Sequence, residues 1–156
     1  MEHVSVDDVG SEEQARRLGL SNPLNTADFA INRYSLDPGE EFSGGLHTHL
    51  DQEEAFYVMS GTASFEHTNE PLGDTETVEV GPEEAVRFGP GEYQTGSNDG
   101  DEPVEALAFG APKESEDVRV PGPCPSCGNE ALQVTFEGGE MGTVCPECGT
   151  EPSAEE

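Results

Sequence analysis

Basic residues are almost missing from this chain. Its 156 residues hold six Lys and Arg, only one of them Lys (Lys113), against 34 Asp and Glu, for a formal net charge of -28. A surface this negative repels phosphate backbones and anionic lipid headgroups, so neither nucleic acid nor membrane is expected as a partner. Long apolar runs are missing as well. No stretch approaches the roughly 18 residues a membrane helix needs, and the N-terminal region has neither a basic segment nor an apolar one of the signal-peptide kind, so a cytoplasmic protein is expected. There is no Trp, no glycine-rich nucleotide loop and no convincing nucleophile-base pair, which leaves a bound metal as the means for any chemistry. Cysteine is absent from all but the last third, where four residues cluster.

What is present alternates. Phe29 and Ile31 face one way and Ala30, Asn32 and Tyr34 the other along residues 27–36, which ends at the turn Asp37-Pro38-Gly39. Arg33 falls on the Phe29 and Ile31 face, where it either holds an anionic substrate or pairs with an acid. Further short strands are expected at 54–59, 62–66, 75–80, 85–88 and 104–109, with His67 in a loop. Val4, Val6 and Val9 suggest an edge strand, and Ser11 to Arg17 one or two helical turns. Close-set strands with turn signals between them and almost no helix argue an all-β barrel or sandwich.

Within that pattern His47 and His49 flank Thr48, so on a strand both imidazoles share a face. A carboxylate near the start of the next strand, Glu53 or Glu54, can meet them. Two His and one carboxylate on a rigid sheet make a facial set for divalent transition metals, Fe(II) above all, with positions left open. Tyr57 and Tyr93 are possible acids in such a cavity, with packing as the commoner role of strand aromatics.

The pattern H-x-H-x4-E-x6-G, read as His47, His49, Glu54 and Gly61, resembles the first motif of the cupin superfamily. The resemblance selects Glu54, seven residues before Gly61, over Glu53. Upstream, Glu41 stands where the family usually has Gly, beside an apparent Ser43-Gly44-Gly45 insertion. Residues 89–98 resemble the second motif, P-x-G-x2-H-x3-N: Gly91 and Asn98 match, while Gly89 replaces the Pro and Gln94 the His. The resemblance implies a jelly-roll barrel over residues 27–112, after an N-terminal extension at 1–26, and a homodimer. It also implies a divalent metal (Fe, Mn, Ni or Zn) at His47, His49 and Glu54, with Gln94 as a weak fourth donor. The implied function is a metal-dependent enzyme of dioxygenase or isomerase type acting on a small oxygen-bearing molecule. The alternatives are a non-catalytic module that binds a small ligand, or an adaptor.

After a linker at 113–122, Cys124-Pro125-Ser126-Cys127 and Cys145-Pro146-Glu147-Cys148 give C-x2-C-x17-C-x2-C, a spacing suited to four-thiolate tetrahedral zinc. The segment 123–151 resembles a zinc ribbon, followed by an acidic tail at 152–156. Four protein ligands leave no open position, so this zinc is expected to be structural, and the acidic segment around it suits a protein partner better than nucleic acid. Rival readings are two disulfides or a redox pair, both disfavoured by a reducing compartment. Acids spread along the whole chain, with almost no Lys, resemble the proteins of salt-accumulating haloarchaea.

Overall fold

A computed structural model describes residues 1–10 and 16–152. Two antiparallel sheets build the barrel. One holds, in spatial order, β1 (Arg17–Gly19), β2 (Ala30–Leu36), β9 (Val104–Ala111), β4 (Glu53–Ser60) and β7 (Ala85–Phe88); the other holds β6 (Glu76–Val80), β5 (Ala63–Thr68) and β8 (Tyr93–Ser97). The alternation expected along β9 is present: Val104, Ala106 and Ala108 are buried and the residues between them partly exposed. The inward faces meet on Phe65, which is fully buried with the rings of Phe42, Phe56 and Phe88 centred 5.4, 4.9 and 5.5 Å away. Burying one such ring contributes about 1.5–3 kcal/mol. Gly61, the last residue of the first motif, has φ 75°, and a Cβ there would lie 2.3 Å from the Pro103 carbonyl oxygen, so the turn from β4 to β5 admits no side chain.

The third sheet joins the C-terminal unit to the barrel. Its order is β12 (Glu140–Val144), β11 (Ala131–Glu137), β10 (Val118–Pro121) and β3 (Thr48–His49). Strand β10 lies in the segment read as a linker. Pro/Gly content suggested a loop there, but residues 118–121 are paired on both sides, Val118 with His49 and Val120 with Leu132. The strand that carries His49 is thus hydrogen-bonded to the strand that leads into the cysteine unit.

Other expectations shift. Val6–Val9 form a single helical turn, α1, in place of an edge strand, because the Asp8 and Val9 amides both donate to the Ser5 carbonyl. The helical turns expected over 11–17 fall largely outside the described residues, and Arg17 begins β1. His67 belongs to β5, opposite Glu76 and Gln94, because the hairpin continues past the point where its apolar alternation stops. Among the described residues, no helix is long and apolar enough to cross a membrane.

Candidate functional site

His47 and His49, either side of Thr48 in one extended stretch, converge with Glu54 of β4, with their donor atoms all within 4.8 Å of one another. His47 is placed by β8: its amide donates to the Gln94 carbonyl at 3.1 Å, and the Gln94 amide donates to the His47 carbonyl at 2.8 Å. That exchange sets the two residues directly opposite, so their side chains emerge together. Glu54 sits on β4 between Phe88 and Gly110. His49 follows the fully buried Thr48 on β3.

The second nitrogen of each imidazole is occupied. Nδ1 of His47 donates to the Gly45 carbonyl at 2.8 Å, so the apparent insertion gives this ring its orientation. Nδ1 of His49 donates to Ser115 Oγ at 2.9 Å, and Ser115 Oγ donates to Asp51 Oδ1 at 2.6 Å. The other Asp51 oxygen accepts the amides of Glu116 and Asp117 at 2.6 and 3.2 Å, so the segment entering β10 is tied to the site through one carboxylate. With Nδ1 protonated, both rings turn an Nε2 lone pair inward, as metal-binding His requires. Burial, then the neighbouring His47, hold the His49 pKa down to about 4 against the opposing pull of Asp51, so the ring is neutral at pH 7. Burial pushes the Glu54 carboxyl up to about 7, although Arg17 and the Gln94 amide pull it down.

The donor set fits a metal ion. Donors about 2.1 Å from a common centre lie roughly 3 Å apart when adjacent. Here His49 Nε2 and Glu54 Oε2 are 3.5 Å apart, and Gln94 Nε2 lies 3.3 Å from Glu54 Oε2 and 3.5 Å from His47 Nε2. Gln94 is 3% exposed, yet its Oε1 is buried with no hydrogen-bond partner. A half-turn of the amide points that oxygen at the cluster, where a cation would satisfy it. Asn98, the other polar residue of the second motif, is structural: its Nδ2 donates to the Leu36 and Glu102 carbonyls and its Oδ1 accepts the Gly100 amide.

The cluster forms part of the wall of a cavity of 290 Å³, which Arg17, Asn32, Tyr34, Gln52, Lys113 and Ser115 also line. None of these six was singled out as a site residue by sequence reasoning. The alternation along β2 already placed Asn32 and Tyr34 on one face, which was the available signal; Arg17 and Ser115 carried none. Arg33, Arg87, Tyr57 and Tyr93 do not line the cavity, and Arg33 pairs with Glu105 at 2.6 Å and Arg87 with Glu53 at 2.6 Å. Ser115 gives a direct prediction. Ser115→Ala removes the acceptor that orients His49 and should weaken divalent-metal binding in the barrel about 10-fold or more, the range for such outer partners. Ser115→Thr should keep most of the affinity; equal metal titration curves for Ala and wild type would remove Ser115 from the site.

The second donor cluster is Cys124, Cys127, Cys145 and Cys148. Sγ of Cys124 is 3.6 Å from that of Cys148, and Sγ of Cys127 is 3.5 Å from that of Cys145, and none of the four is joined in a disulfide. Tetrahedral thiolates about 2.3 Å from an ion stand about 3.8 Å apart, so the set fits one ion. The two knuckles repeat one turn, with Gly128 N donating to Cys124 O and Gly149 N to Cys145 O at 2.9 Å each. Both glycines take the left-handed conformation, φ 77° and 73°.

Residues 32–110 match the family described as Cupin domain. Among solved structures, a sugar phosphate isomerase of a cupin superfamily from Silicibacter pomeroyi is 17% identical over 88% of this chain and 82% of its own, with TM-score 0.64. A provisionally named sugar phosphate isomerase from Acidithiobacillus ferrooxidans is 21% identical over 82% and 75%, with TM-score 0.59. A Bacillus halodurans protein is 19% identical over 56% of this chain, with TM-score 0.52, and this chain spans 65% of its length. No curated protein matches the sequence. At these identities the structural neighbours speak for the fold, while the family match covers half of the sequence and includes His47, His49, Glu54 and Gln94. The chain belongs to the cupin domain family.

Proposed function

We propose that the barrel is the divalent-metal site of an enzyme acting on a small oxygen-bearing molecule, of isomerase or dioxygenase type, and that the C-terminal unit is a structural zinc ribbon. The observation that carries the barrel reading is the convergence of His47, His49 and Glu54, with the buried Gln94 amide beside them, on the wall of a 290 Å³ cavity. The neighbours named sugar phosphate isomerases favour the isomerase arm. A bound ion such as Fe, Mn, Ni or Zn supplies a Lewis acid that polarises a substrate oxygen, or a centre that handles dioxygen.

The chain's own residues do the rest. Burial raises the Tyr34 pKa, with Arg17 opposing and Glu54 adding to it, so Tyr34 Oη keeps its proton at neutral pH and can donate into the cavity. Asn32 and Ser43 add hydrogen-bonding groups to the wall, and Phe42, Phe56 and Ala108 provide its apolar part. Gln52 is positioned instead of free, because its Nε2 donates to the Pro112 carbonyl at 2.8 Å.

Metal titration of the full chain, with the four cysteines intact, tests this reading. Wild type should bind one divalent ion beyond the ribbon metal, His47→Ala should bind none there, and Gln94→His should bind about 10-fold tighter through a softer, stronger donor. Uptake should strengthen as pH rises towards 8 and weaken below 7, because an ion must displace the proton that burial holds on Glu54. Wild type and His47→Ala binding the same number of ions with equal affinity would sink the metal-enzyme reading. Metal binding in wild type without turnover of any small oxygenated substrate would leave a binding module.

A further inference from the structure

Of the six basic residues in the chain, Arg33, Arg87 and Arg119 are committed to ion pairs with Glu105, Glu53 and Asp117. Two of the other three, Arg17 and Lys113, line the barrel cavity, whereas one of the 34 acids does, and that one is the metal-ligand candidate Glu54. A wall drawn at random from this composition would carry several acids and less than one base. The cavity has the opposite sign to the rest of the molecule.

The strand pairing explains how Arg17 gets there. In an antiparallel pair, residues directly opposite point to the same side. Arg17 is opposite Tyr34, which faces the cavity, and Leu18 is opposite Arg33, whose guanidinium lies on the outer face with Glu105. Among the described residues Arg17 makes no ion pair, and its charge is felt by both Glu54 and Tyr34. Lys113 is held at the same cavity by one bond, from Nζ to the Thr26 carbonyl at 2.8 Å, which leaves two ammonium protons to give.

We infer that Arg17 and Lys113 form an anion subsite, and that the molecule bound in the cavity is a small organic anion bearing a carboxylate or phosphate group beside its metal-directed oxygen. A guanidinium grips either group through two parallel hydrogen bonds, and an ammonium adds a point charge. In a molecule of net charge -28 an anion is repelled everywhere else, so the local reversal of sign is what admits it. The volume, near the lower limit for ligand pockets, restricts the guest to a few carbons plus its head group. The inference takes the cavity as the substrate site from the reading above, while the grip of Arg17 and Lys113 on the anionic group itself needs no metal.

The test is ligand-observed NMR titration of the full chain, at one fixed potassium chloride concentration, with three probes: glycolate, phosphoglycolate and the neutral glycolamide. Wild type should bind at least one of the anions and prefer it to glycolamide. Arg17→Gln with Lys113→Gln should weaken the anions about 10-fold or more and leave glycolamide within about twofold. Arg17→Gln alone, a change at an exposed strand end, should act in the same direction and guards against misfolding of the double variant. A preference for phosphoglycolate over glycolate that the double variant abolishes names phosphate as the head group, and equal affinity for the two names carboxylate. Binding of neither anion more tightly than glycolamide by wild type, or wild-type anion affinity in the double variant, would overturn the subsite. Measuring His47→Ala in parallel separates the two readings, because anion discrimination that survives loss of the barrel metal upholds the subsite, whatever becomes of the enzyme reading.

Discussion

Serine at both Cys124 and Cys127 should strip the chain of one tightly held zinc ion, unfold the C-terminal unit and leave the barrel standing. The buried cluster of that unit consists of Cys124, Leu132 and Cys145 with Val120 packed against it. Four residues cannot offset the ordering entropy of some thirty, which runs to about 1–2 kcal/mol each. Zinc at four thiolates supplies about 10–16 kcal/mol at pH 7, and that binding energy is the folding energy of such a unit. The barrel has a separate core around Phe65, Leu36 and Val104 that shares no residue with the C-terminal cluster. Metal analysis should therefore show one zinc fewer per chain, and the barrel should still unfold cooperatively on heating. Because β10 pairs with β3, and Ser115 and Asp51 hold His49, freeing the ribbon should also lower metal affinity at His47, His49 and Glu54 severalfold. Unchanged zinc content in the double variant would return the four cysteines to some other role, and unchanged barrel affinity would show that β10 transmits nothing.

The second large effect is salt. Dividing 9578 Å² of surface by a net charge of -28 leaves about 340 Å² per charge, a mean spacing of about 18 Å. The screening length is about 30 Å at 0.01 M salt, 10 Å at 0.1 M and 3 Å at 1 M, so in dilute buffer each charge repels its neighbours and in molar salt it does not. Ion pairing offers little relief: among the described residues, Arg side chains pair with three carboxylates, Glu53, Glu105 and Asp117. We expect Tm to rise by more than about 10 °C between 0.01 and 2 M potassium chloride, the shift produced by roughly 3 kcal/mol or more in a domain of this size. Sucrose, which strengthens burial through exclusion without screening charge, should not reproduce the gain. Equal melting curves across the salt series would mean that the acidic surface costs the fold nothing.

Several features of this molecule were legible before any coordinates, and they share a physical cause. Side chains on a strand repeat with period two, so His47 and His49 were bound to share a face wherever the strand went, and Ala30, Asn32 and Tyr34 likewise. The C-x2-C pairs carry their own geometry, because a knuckle is one tight turn closed by its own glycine. The family pattern chose Glu54 over Glu53, and the structure turns Glu54 into the cavity while Glu53 pairs with Arg87.

What the sequence by itself determined is therefore local: which residues alternate, which spacings chelate, and how much charge the surface must carry. The tertiary structure alone decided which separate segments meet. Arg17 lies beside residues suited to a short helix and has no apolar period of its own; only its pairing with Tyr34 puts it at the cavity. Ser115 and Asp51 are 64 residues apart, and their contact depends on β10 returning to β3 through a segment whose composition suggests a loop. Gln94 became a neighbour of His47 through a single backbone bridge, and of Glu54 only because the two sheets close on each other. Such pairings are set by the closure of the whole barrel, since a strand's pattern specifies which face it buries and says nothing of the partner it buries it against.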